Sequence, residues 1–155
     1  MSTSYSCKCK KCGEVYYVFT GIGTLMPMGY RRTLDEIRQG VWGEEYKQTL
    51  ADNPLMAVDV EEEVYICGTC GRWKNEKNMN LYAPNHPEEK TVAEKGCEPF
   101  VMRADLLENY RLVKRRVHYC DCGKRMRRAT DSEARNLPCP HCGEVNTAKT
   151  PVLWD

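Results

Sequence analysis

Eight of the ten cysteines in this 155-residue chain fall into four close pairs, each followed at once by glycine: Cys9-Lys-Lys-Cys12-Gly13, Cys67-Gly-Thr-Cys70-Gly71, Cys120-Asp-Cys122-Gly123 and Cys139-Pro-His-Cys142-Gly143. Clustered thiols support two chemistries, disulfide bonding or metal coordination, and the redox compartment chooses between them. Residues 1–8 read Met-Ser-Thr-Ser-Tyr-Ser-Cys-Lys with no apolar run behind them, and the longest apolar stretches, such as Val15 to Phe19, are too short to cross a bilayer. A soluble, reduced, cytoplasmic chain whose cysteines bind metal is therefore expected. A cysteine pair closed by glycine makes a tight turn, because glycine takes the positive φ that other residues resist. Two such turns facing each other supply four thiolates at about 2.3 Å from a shared zinc ion.

Four pairs can share two ions in three ways. Strands flank the turns in hairpin order, which favours sequential pairing: Cys9, Cys12, Cys67 and Cys70 on one ion, Cys120, Cys122, Cys139 and Cys142 on the other. A cross-braced arrangement stays open. Loop entropy discriminates little, since closing the 54-residue rather than the 16-residue connection costs only about 1 kcal/mol, against roughly 10 to 16 kcal/mol of apparent zinc affinity. Four thiolates complete a tetrahedron and leave no position for water or substrate, so structural zinc is expected at both sites, with iron the alternative.

The elements that must position these sulfurs are mostly strands. Glu14 to Phe19 leaves the first turn, Val58 to Ile66 enters the second, Val117 to Tyr119 enters the third and Arg125 to Ala129 leaves it. Between the first and second pairs the pattern turns helical: Thr33 with Glu36 reads as a capping box opening a short helix. Trp42, Tyr46 and Leu50 line one face of a second helix, Trp42 to Ala51, which ends before Asn53-Pro54. Residues 83–99 hold three prolines and a cluster of Glu and Lys, the composition of a loop. Met102, Leu106, Leu107, Tyr110 and Val113 then fit one side of a linker helix.

The turns and their flanking strands resemble the zinc-ribbon family and its rubredoxin-like knuckles, with Leu137-Pro138-Cys139-Pro140-His141-Cys142-Gly143 the closest match. The resemblance implies two zinc ribbons. With the helical segments it describes a small, mostly β, metal-stabilised α+β chain: residues 1–82 form ribbon 1 with a helical insertion at about 24–54, residues 83–116 a loop and linker helix, and residues 117–155 ribbon 2. Cys120-Asp-Cys122 departs from the family pattern by one residue, which leaves His118 as an alternative ligand to Cys120. Cys7 and Cys97 are left over as ordinary thiols, substitute ligands or a redox couple.

The net charge of +1 hides an asymmetry: residues 1–102 carry 12 basic against 15 acidic residues, and residues 103–155 carry 11 against 7. Arg111, Lys114, Arg115, Arg116, Lys124, Arg125, Arg127 and Arg128 surround the third pair. They either balance the nominal charge of minus two on a zinc tetrathiolate or form a footprint for phosphates, with Tyr119 offering a ring for stacking. Arg115, Arg116, Lys124, Arg125, Arg127 and Arg128 are the candidate nucleic-acid contacts. The expected function is thus a binding module recognising nucleic acid or a nucleic-acid-associated complex. The alternatives are a protein–protein adaptor using Trp42, Tyr46 and Met26 to Met28, or an iron electron carrier or thiol sensor.

No catalytic constellation can be assembled, so an enzyme is not expected. Gly21-Ile-Gly23 lacks the third glycine of a dinucleotide fingerprint and reads as a turn. Glu61, Glu62 and Glu63 read as a solvated strand face, His141 as an exposed knuckle residue and His86 as a loop residue.

Overall fold

The computed structural model describes residues 4–23, 26–89, 100–145 and 147–154. The chain divides into two compact units, each assembled from separated segments. Unit 1 comprises residues 1–24, 61–77 and 117–155; unit 2 comprises residues 25–60 and 78–116. This replaces the expected succession of residues 1–82, 83–116 and 117–155. The chain leaves unit 1 twice and returns twice, so strands distant in sequence become neighbours in space.

Unit 1 holds two three-stranded sheets. In the first, β1 (Tyr5–Cys9) lies between β2 (Val15–Val18) and β9 (Thr147–Pro151), antiparallel to both. In the second, β4 (Glu62–Cys67) lies between β5 (Trp73–Lys77) and β8 (Met126–Arg128). Strand alternation sorts their side chains: Tyr16 and Val18 are buried while Val15 and Tyr17 face out. Cys7, Cys9, Tyr16, Val18, Val64, Leu137 and Cys139 form one apolar cluster, and Tyr65, Cys67, Cys120 and Met126 a second. The short helix α4 (Asp131–Arg135) opens on a capping box, in which Thr130 accepts from the Glu133 amide and the Glu133 carboxylate accepts from the Thr130 amide.

Unit 2 carries the remaining elements. Helices α1 (Met26–Arg38) and α2 (Glu44–Asp52) pack on each other; β3 (Ala57–Val58), β6 (Leu81–Pro84) and β7 (Tyr110–Lys114) form a third sheet, and α3 (Arg103–Asn109) precedes β7. Its core is Tyr30, Leu34, Ile37, Tyr46, Leu50, Met56, Val58, Val60, Met79 and Leu81. A ten-residue apolar cluster gives this unit a core of its own, which the reading of an insertion packed on a ribbon did not anticipate.

Three local expectations change. Thr33 does not open a helix: it sits inside α1, fully buried, and its hydroxyl donates to the Gly29 carbonyl at 2.9 Å. That bond, four residues back along the helix, satisfies a Thr hydroxyl in a helix interior as well as a cap would. The linker helix ends at Asn109, and Tyr110 and Val113 lie in β7, where pairing with β6 overrides the helical spacing. Glu63 is buried rather than solvated, with its carboxylate accepting from Tyr65 at 2.7 Å and lying 3.1 Å from Arg128 Nε. No helix among the described residues is long and apolar enough to cross a membrane.

Candidate metal centres

All four glycine-terminated turns close in the same way. The glycine amide donates to the carbonyl of the first cysteine: Gly13 to Cys9 at 3.0 Å, Gly71 to Cys67 at 2.9 Å, Gly123 to Cys120 at 2.8 Å and Gly143 to Cys139 at 2.8 Å. The amide of that cysteine donates to the carbonyl just after the glycine, in Glu14, Arg72, Lys124 and Glu144 respectively. Each glycine sits at positive φ, between 74° and 80°, where a side chain would cost roughly 1–2 kcal/mol. Cys120-Asp-Cys122 is one residue shorter, yet it closes with the same two bonds. The Lys74 ammonium braces it, 2.7 Å from Asp121 and donating to the Tyr119 carbonyl at 3.3 Å. That contact holds the Asp121 carboxyl below its ordinary range.

The turns meet in two groups of four sulfurs: Cys9, Cys12, Cys139 and Cys142 (site A), and Cys67, Cys70, Cys120 and Cys122 (site B), each with all its sulfurs within 4.8 Å of one another. Sequential pairing is therefore replaced by a nested one, first with fourth and second with third. The reason is strand pairing. β9, which follows the fourth turn, runs beside β1, which enters the first; β8, after the third turn, runs beside β4, which enters the second. Closing the 126-residue connection of site A rather than the 16-residue one between the third and fourth turns costs about 2 kcal/mol more, small against the affinity of a tetrathiolate for zinc.

Within each group the first cysteine of one turn faces the second of the other. Cys9 and Cys142 sulfurs stand 3.5 Å apart, Cys12 and Cys139 3.7 Å, Cys67 and Cys122 3.6 Å, and Cys70 and Cys120 3.4 Å. A disulfide would bring them to about 2.05 Å. A tetrahedron of sulfurs at about 2.3 Å from a central ion has edges of about 3.8 Å, so the observed spacing fits a tetrathiolate. Two four-cysteine groups that can each hold a metal ion thus sit in a single unit.

No family model matches this chain, and no curated protein and no solved structure matches it.

The electrostatics of the sites follow from the turns. The Cys12 amide, with that of Lys11, lowers Cys9 to about 6, and the Cys70 amide, with that of Thr69, lowers Cys67 to about 6. The amide of Glu14 pulls Cys12 down, but desolvation and the neighbouring sulfurs win and push it up to about 12. Cys70 follows the same balance: the Arg72 amide pulls down, while Cys120, desolvation and the other sulfurs raise it to about 11. One thiol of each group thus ionises readily and hinders ionisation of its neighbours, a hindrance that a divalent cation removes.

The remaining candidates separate clearly. Cys7 is buried and belongs to neither group, and burial raises its thiol. Cys97 lies outside the described residues. His118 does not displace Cys120: its Nδ1 is 2.6 Å from a Glu76 carboxylate oxygen and its ring stacks on Tyr65 at 3.6 Å. His141 is exposed, and His86 is exposed beside Glu88 at 3.3 Å.

The basic stripe is divided between the units. Arg111, Lys114, Arg115 and Arg116 belong to unit 2, and Lys124, Arg125, Arg127 and Arg128 to unit 1. The Arg116 guanidinium lies over the rings of Trp42 and Tyr46, at 5.5 and 5.4 Å. Arg127 makes a two-pronged bond to Glu133 at 2.8 and 2.6 Å, and Arg128 pairs with Glu63. Arg115, Lys124 and Arg125 are exposed. Lys74, Trp73 and Asn75 of β5 were not anticipated: Lys74 braces the third turn, and Trp73 Nε1 donates to the Pro138 carbonyl at 2.8 Å, tying β5 to the fourth turn. Their roles have no signature in sequence beyond their place after the second knuckle.

Proposed function

We propose that this chain is a structural zinc module, in which two zinc tetrathiolates hold unit 1 together so that it presents a rigid surface to a nucleic acid. The observation that carries the metal reading is the sulfur spacing of 3.4–3.7 Å in two closed groups of four. Zinc is preferred to iron because it suits the tetrathiolate without redox demands, and binding is preferred to catalysis because four thiolates complete the coordination. The nucleic-acid reading is supported by the exposed Lys124 and Arg125 on the third knuckle, beside the half-exposed Tyr119. Unit 1 carries 12 basic against 10 acidic residues, and two tetrathiolates at a nominal minus two each reverse that balance. Contacts with phosphates must therefore be local.

Of the residues expected to form an adaptor face, Met28 is exposed, whereas Tyr46 is buried in the unit 2 core and Trp42 packs against that core beneath Arg116. Elemental analysis tests the metal reading: two zinc per chain and a colourless protein support it, and a red protein bleached by dithionite replaces it with an iron carrier. A salt-sensitive gel shift that disappears in a Lys124→Ala/Arg125→Ala variant supports the partner. Absence of binding to DNA or RNA at low ionic strength removes it.

A further inference from the structure

The sheet β2-β1-β9 has an outer face that neither metal group uses. Across it, Val15, Lys8 and Ala148 stand in one row and Tyr17, Ser6 and Thr150 in the next. Val15 and Tyr17 are 48% and 52% exposed, and Lys8, Ala148 and Thr150 are exposed as well. Alternation puts Phe19 on the same side as Tyr17. The two rings lie parallel, 7° apart in plane with centroids at 6.1 Å, and Trp154 packs on Phe19 at 5.1 Å. Phe19 is held in place by one side chain: the Asn75 amide accepts from its N–H at 2.9 Å and donates to its carbonyl.

Two further properties give this face a chemical preference. Lys8 is the cation of this face, since Lys149 pairs with Cys7 and so stands on the opposite side of the sheet, and β1, β2 and β9 carry no carboxylate on either side. And the neighbours of Tyr17 across the sheet, Ser6 and Thr150, are small, which leaves the ring accessible along its flank. An aromatic pair with a lysine beside it, on strands without carboxylates, matches a ligand with flat, stackable rings on an anionic backbone.

We propose that the outer face of the β2-β1-β9 sheet is a stacking platform for single-stranded nucleic acid, with Tyr17 receiving a base and Lys8 a phosphate. Successive unpaired bases stack on aromatic rings with little regard to sequence, at about 1–3 kcal/mol per base. Duplexes are disfavoured because their base faces are already covered. The proposal goes beyond the knuckle cations of the preceding section by placing the contact on a different surface of the same unit.

The test uses the full zinc-loaded chain and the anisotropy of fluorescein-labelled 12-nucleotide oligo(dT) and oligo(U), against a duplex of the same length, at low salt. Single strands are expected to bind more tightly than the duplex. Tyr17→Ala should weaken binding about tenfold while Tyr17→Phe stays close to wild type, and Lys8→Ala should lower the salt slope by about 0.7. Retention of two zinc per chain and an unchanged circular dichroism spectrum exclude misfolding of these variants. Binding that survives Tyr17→Ala and Lys8→Ala but is lost in Lys124→Ala/Arg125→Ala overturns the platform and leaves the knuckle reading standing. A preference for duplex overturns it likewise. Failure of the wild-type chain to bind any oligonucleotide overturns both.

Discussion

Cys9 Sγ and Cys142 Sγ stand 3.5 Å apart, although 133 positions separate them in the chain. Nested pairing makes a stoichiometric statement that sequential pairing does not. A Cys9→Ser/Cys142→Ser double variant removes two ligands of the same site and should retain one zinc per chain. Cys9→Ser/Cys67→Ser damages both sites and should hold none firmly. Native mass spectrometry reads the difference, and the reverse result would restore sequential pairing.

Because the ion binds thiolates, the metal-free state carries more protons than the loaded one. Affinity must then rise with pH and fall as the solution is acidified. Cys9 and Cys67, lowered to about 6, are largely ionised at pH 7, whereas Cys12 at about 12, Cys70 at about 11 and the raised Cys142 are protonated. Loading at pH 7 therefore displaces protons from at least Cys12, Cys142 and Cys70. Zinc should be lost progressively as pH falls through about 6, where Cys9 and Cys67 also take protons. Calorimetric titrations in two buffers of different ionisation enthalpy measure the release directly; equal enthalpies in both would contradict it.

Gly123 lies at φ +80° with nothing within 4 Å of an added Cβ. Gly123→Ala is thus penalised by backbone strain alone, about 1–2 kcal/mol, or roughly a five- to thirtyfold loss of zinc affinity at site B. Gly123→Asn should lose less, since Asn tolerates the left-handed region. Competition with a chromogenic chelator ranks the two, and equal losses would point to a clash instead.

In unit 2, Ile37 is fully buried at the centre of the apolar cluster. Ile37→Ala should destabilise that unit by about 2–5 kcal/mol, the range for a large aliphatic truncation in a packed core. Urea unfolding followed by circular dichroism checks it. Met28→Ala, at a residue 64% exposed, should change stability by no more than about 0.5 kcal/mol.

What the sequence determined by itself was whatever a few consecutive residues can enforce. Each knuckle closes through bonds spanning at most five positions and a glycine at positive φ, so the cysteine spacing announced all four turns, the short one included. Helix α2 and strand β2 were equally legible, as each shows its periodicity within one segment. Only the tertiary structure decided which turns come together, because that depends on β9 finding β1 and β8 finding β4 across long stretches of chain. The same holds for Tyr110 and Val113, whose helical spacing yields to a partner strand, and for Arg127 and Arg128, whose charges are taken up by Glu133 and Glu63. Loop closure grows only logarithmically in cost with length, so proximity in sequence carries little weight against a paired strand.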